Sequence, residues 1–85
     1  MTELTKKIGE NIKTYRKRAN LKIYELAKLV DVNNLTMSRI EKGNEAMKVA
    51  IIEKIAKVLN LSFEQVVFGE DAIVFNNATI EKLRG

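Results

Sequence analysis

The sequence predicts an all-α domain of five helices, followed by a short C-terminal extension that contains one strand-like run. Three observations predict it. Apolar residues recur at spacings of three and four through most of the chain, the periodicity of helices that bury one face. The 85 residues include no proline and only four glycines, so little interrupts a helix. Residues suited to starting and stopping helices, among them Asn20, Asn33, Gly43 and Ser62, stand between the periodic segments. The expected division is a domain over residues 1–69 and an extension over 70–85.

The first helix is expected over residues 2–19. Leu4, Ile8, Ile12, Tyr15 and Ala19 form one apolar stripe along it, while Lys6, Lys7, Lys13, Lys17 and Arg18 lie on the outer face. Thr2 suits its N-cap, and Asn20 suits the left-handed residue that ends it. Leu21 then packs the link to the next element. In Glu25 to Gly43 the pattern is two short helices joined by a tight turn. Leu26, Ala27 and Val30 share one face of the first of these. Asp31 and Val32 make the turn, and Asn33 supplies a side-chain oxygen to cap the next helix. Met37 and Ile40 point inward from that helix, its other face shows Asn34, Leu35, Thr36, Ser38, Arg39 and Lys42, and Gly43 stops it.

A fourth helix is expected over 46–59, with Val49, Ile52, Ile55, Ala56 and Leu59 at helical spacing. Ser62 and Gln65 match a capping box that opens a short fifth helix through Phe63, Val66 and Val67, ended by Phe68 and Gly69. In the extension, Ala72 to Phe75 is an apolar, partly β-branched run too short to stand alone as a strand. It pairs with another edge, such as its copy in a second subunit, or the tail lies frayed on the core. Asn76 and Asn77 suit a turn, and Thr79 to Leu83 a last helical turn.

Composition removes several functions. There is no cysteine and no histidine, and only Asp31 and Asp71 among aspartates, so metal sites, thiolate chemistry and acid–base pairs lack material. No cofactor and no small-molecule ligand are expected, and no enzyme. No apolar run approaches the ~18 residues of a membrane span, and the polar N-terminus is unlike a secretory signal, so a cytoplasmic protein is expected. The net charge is +4, unevenly spread. Residues 1–42 hold ten Lys/Arg against five Asp/Glu, whereas residues 43–85 hold five against six, so the first half carries the whole basic excess. Such a polarity suits a surface that meets phosphates.

Two short helices, a tight turn and a polar second helix are the pattern of a DNA-binding helix-turn-helix, whose second helix enters the major groove. The stretch ELAKLVDVNNLTMSRIEKG also resembles the phage-repressor and Cro-like (XRE-like) regulators, whose motif runs roughly E-L-A-x-x-L-G-V-S-x-x-x-I-S-x-x-E-x-G. Glu25, Leu26, Ala27, Val32, Ser38, Glu41 and Gly43 match outright, and Val30, Asn33 and Met37 fill their positions conservatively. The resemblance runs from about Ile8 to Val67. It implies a five-helix repressor-like DNA-binding domain that acts as a dimer on palindromic double-stranded DNA, and a regulator of transcription, expected to be a repressor. It further implies that Arg16 pairs with Glu41 to fix the recognition helix against the first helix.

On this basis Asn34, Leu35, Thr36, Ser38 and Arg39 are the expected base-contacting residues. Asn34 suits adenine, Leu35 a thymine methyl, and Arg39 guanine or a phosphate. Lys22, Asn33, Lys42, Asn44 and Lys48 flank the recognition helix as expected phosphate contacts. Phe63, Val67, Phe68, Ile73, Val74 and Phe75 are the expected homodimer surface. Three positions depart from the family pattern: Ile23 replaces a phosphate-holding glutamine, Asp31 the glycine of the turn, and Met47 a proline before the fourth helix. Ile23 then reads as core or partner surface. Ile23 and Leu35 also leave room for rival readings, a protein-interaction module with this fold or an antitoxin that binds both DNA and a toxin.

Overall fold

A computed structural model describes residues 3–70. They form five α-helices: α1 (Glu3–Arg18), α2 (Ile23–Leu29), α3 (Asn34–Lys42), α4 (Val49–Val58) and α5 (Phe63–Phe68). No strand occurs among the described residues. Thr2, the strand-like run Ala72 to Phe75 and the rest of the extension beyond Glu70 lie outside them.

The stops are encoded locally and repeat one device. Asn20, Asp31, Gly43 and Asn60 all have positive φ, between 58° and 74°. In each case the following N–H bonds to the carbonyl five residues back: Leu21 to Arg16, Val32 to Ala27, Asn44 to Arg39 and Leu61 to Ala56, at 2.8–3.1 Å. This left-handed cap satisfies carbonyls that a helix end leaves without partners. Val32 and Leu61 then fold back onto the core, and Leu21 is half-buried. Asp31 takes the left-handed conformation although the family pattern has glycine there, at some cost in strain.

Helix starts are equally local. Asn33 Oδ1 accepts the Thr36 N–H at 2.7 Å. Ser62 Oγ accepts the Gln65 N–H at 3.1 Å while Gln65 Oε1 accepts the Ser62 N–H at 2.8 Å, a complete capping box. Glu25 Oε1 likewise reaches back to the Lys22 N–H at 2.8 Å.

The core is a single cluster built around the fully buried Ile12, Leu26, Met37, Ile40, Ile55 and Val66. Each such side chain contributes about 1.5–3 kcal/mol by leaving water. α1 packs against α3 and α5, α2 against α3 and α4, and α4 against α5. Asn11 on α1 donates from Nδ2 to the carbonyls of Val66 and Val67, at 3.0 and 3.2 Å, and so anchors the end of α5.

Two expectations are corrected. The buried line of α1 is Ile8, Ile12 and Arg16; Tyr15 is half-buried, and Leu4 and Ala19 are exposed. Neighbouring helices cover only the middle of a sixteen-residue helix, so its ends overhang. The fourth helix starts at Val49 rather than 46, because the extended backbone at Lys48 (ψ 142°) belongs to the link that returns the chain from α3. Val49, at its first position, is consequently exposed.

Candidate nucleic-acid interface

The face in question is the exposed side of α3. The Asn33 cap and the Gly43 stop limit this helix to nine residues. Met37, Ile40 and Glu41 are buried on its inner side, whereas Asn34, Leu35, Arg39 and Lys42 are exposed and Thr36 and Ser38 are half-buried. Met37, Ile40 and Glu41 lie three, four and one residues apart, so burying them turns the opposite, largely polar side to solvent.

Two further features set how α3 lies on α1. Arg16 and Glu41 are each 6% exposed. Arg16 Nε donates to Glu41 Oε2 at 2.7 Å and Nη2 to Glu41 Oε1 at 3.1 Å, a two-pronged pair, while Nη1 donates to the Leu21 carbonyl at 2.7 Å. One buried side chain thus ties α3 to both α1 and the start of the link to α2. The other feature was not singled out from the sequence. A Cβ placed on Gly9 would lie 2.5 Å from the Ile40 carbonyl oxygen and 2.6 Å from that of Glu41. Only glycine permits so close a crossing of the two backbones. Its signal was a glycine inside an otherwise regular helix, where it costs about 0.5–1 kcal/mol against alanine.

Around α3, Lys22, Asn33, Asn44, Lys42 and Lys48 are all exposed. Asn33 has its side-chain oxygen engaged in the cap, which leaves its amide N–H₂ to face outward contacts. Lys22 Nζ lies 6.0 Å from the centre of the Tyr24 ring. Between the starts of α2 and α3 runs an open groove of about 640 Å³ lined by Ile23, Tyr24, Asn34, Leu35 and Ser38, with Lys22 and Arg16. Ile23 is half-buried and packs on the core, in line with its reading as core or partner surface, while Tyr24, which is exposed, was not singled out from the sequence.

Away from this face, Phe63 and Phe68 are exposed and Val67 is half-buried against the core. Ile73, Val74 and Phe75 fall outside the described residues. Arg18 Nη2 lies 2.7 Å from Glu70 Oε1, and the hydrogen bond and charge of Glu70 raise the Arg18 pKa above its ordinary value. Both side chains are exposed, so this pair is a weak tether. Among the described residues no group of His, Cys, Asp or Glu is placed to hold a metal, and no helix is long and apolar enough to cross a membrane.

Comparison with known proteins agrees with this geometry. The helix-turn-helix family model (HTH_3) matches residues 12–66. Over 67 residues the chain is 34% identical to the antitoxin PezA of Streptococcus pneumoniae, a match covering 79% of this chain and 42% of PezA. The chain thus spans less than half the length of that relative. An HTH_3 family transcriptional regulator from Vibrio cholerae superposes with a TM-score of 0.72 at 28% identity, over 84% of this chain and 39% of that one. The restriction-modification controller protein C.AhdI from Aeromonas hydrophila shares the fold, with a TM-score of 0.70 at 21% identity over 73% of this chain and 94% of that one. With its helices, its capped turn and its family match in agreement, the chain belongs to the helix-turn-helix family, a family of DNA-binding regulators.

Proposed function

We propose that this protein is a sequence-specific transcriptional regulator, acting as a repressor, that lays α3 in the major groove of a palindromic operator as a homodimer. The supporting observation is the way α3 is held: Glu41 and Gly9 fasten its inner side to α1, and the side bearing Asn34, Leu35 and Arg39 faces water. A short helix fixed in this way is a rigid reading head that needs no reordering on contact.

In this proposal Asn34 makes a paired contact to adenine, Arg39 to guanine, and Leu35 packs on a thymine methyl, with Thr36 and Ser38 as lesser contacts. Lys22, Lys42 and Lys48 neutralise phosphates while Asn33 and Asn44 donate to them, setting the register of α3. Each neutralised phosphate adds about 0.9 to the slope of log affinity against log salt. Phe63, Val67 and Phe68, with Ile73, Val74 and Phe75 of the extension, supply the dimer contact that sets two half-sites about 34 Å apart. Residues 1–69 form the DNA-binding domain and 70–85 the dimerisation segment, in a cytoplasmic protein.

Selection of bound duplexes from a random pool tests this. A two-fold symmetric site is expected, with Asn34→Ala and Arg39→Ala each relaxing one position. Flat titrations with every duplex in dilute buffer overturn the proposal, and a monomeric mass on DNA removes the dimer. The likeness to PezA favours a second role as an antitoxin that also binds a toxin. Co-purification with the product of the adjacent gene tests that role, and its failure leaves DNA binding untouched.

A further inference from the structure

The groove between the starts of α2 and α3 is chemically unlike the rest of the reading face. Most of the surface it offers is carbon, from Ile23 and Tyr24 on one side and Leu35 on the other. Leu35 is 61% exposed and Tyr24 54% exposed, so two large apolar side chains stand in water beside a groove. Ile23 packs on the core, which fixes the wall it forms. Arg16 also borders the groove but is only 6% exposed, with three of its five N–H groups held by Glu41 and the Leu21 carbonyl. Asn34 and Ser38 border the groove with polar atoms, and Lys22 adds a positive charge.

In the major groove of DNA the apolar feature on a base edge is the C5 methyl group of thymine. Methylation of cytosine places the same group on the same atom. Leu35 is the second residue of α3, at the end that enters deepest if α3 reads the major groove. We infer that this groove is a pocket for the C5 methyl of a pyrimidine, clasped between Leu35 of α3 and Ile23 of α2, with Asn34 free to read the adjoining base. The inference rests on the DNA-reading role proposed above and adds α2 residues to it. Ile23 then takes the place of a phosphate-holding glutamine with a base-reading function, and Tyr24 closes the open side while its ring is held near the Lys22 ammonium.

The test uses the full chain and a duplex recovered from the random pool. Each thymine is replaced in turn by uracil, which deletes only the methyl. One position in each half-site is expected to lose about fourfold in affinity, the worth of one buried methyl group. At that position a cytosine is expected to gain about fourfold when it is 5-methylated, and the two substitutions separate the two sources of the methyl. The thymine-to-uracil ratio stays constant as salt is raised, although both affinities fall. Leu35→Ala, at an exposed position, abolishes the ratio with its melting temperature retained, and Ile23→Val, which removes one methylene from the opposite wall, reduces it. If wild-type protein binds the selected duplex yet tolerates every uracil within twofold, or if Leu35→Ala keeps the ratio, the pocket is refuted while DNA reading by α3 stands. If no duplex binds, both fall together.

Discussion

Replacing Glu41 with alanine tests how α3 is fastened. The Glu41 carboxylate accepts two N–H groups of Arg16, at 2.7 and 3.1 Å, with both residues only 6% exposed. Without the carboxylate, a buried guanidinium keeps one acceptor, the Leu21 carbonyl at 2.7 Å. Stranding a buried charge costs about 3–5 kcal/mol, and the surviving bond to Leu21 places the expected loss at the lower end, about 3 kcal/mol. For a domain of this size that corresponds to a fall in Tm of about 12–24 °C. Urea unfolding followed by circular dichroism should show the midpoint falling with the slope unchanged. The double replacement Arg16→Met with Glu41→Leu removes both charges and should restore most of the loss, since apolar pairs of similar volume replace buried ion pairs at little cost. A loss below about 1 kcal/mol for Glu41→Ala would mean that the pair behaves as an exposed one. A double replacement no more stable than Glu41→Ala would refute the stranded charge as the cause.

Three further perturbations probe other parts of the same scaffold. Gly9→Ala drives a methyl against the Ile40 and Glu41 carbonyls and should cost about 1–3 kcal/mol in urea unfolding, while weakening DNA binding by displacing α3; unchanged stability would mean that the crossing yields freely. Asn33→Ala removes the acceptor of the Thr36 N–H and should cost about 1 kcal/mol, with faster amide exchange confined to the first turn of α3. Asp31→Gly should raise stability by up to about 1 kcal/mol, because glycine takes the positive φ of this turn without strain; a drop in the thermal midpoint would show that the aspartate side chain supports the turn.

Much of this architecture was legible in the chain. The helix-turn-helix spans, the caps at Asn33 and Ser62, and the stops at Asn20 and Gly43 all depend on residues within five positions of one another. Such signals survive in sequence because the atoms that answer each other are neighbours along the backbone. The departure at Asp31 was visible too, but not that its backbone would adopt the left-handed conformation a glycine would supply. The Arg16 and Glu41 pairing joins positions 25 apart, and only the family resemblance pointed to it.

The rest was decided by how the helices cross. Nothing near Gly9 in sequence says that the Ile40 and Glu41 carbonyls press on it, and nothing near Leu4 or Val49 says that no neighbour covers them. Leu35 was placed on the outer face of α3 and Ile23 read as core or partner surface, and no local pattern says that both line one groove. They face one groove because α2 and α3 start side by side. Periodicity reports which side of a helix is apolar. Where that side meets another helix, and which apolar atoms are left over in water, depends on distances between segments that no local pattern encodes.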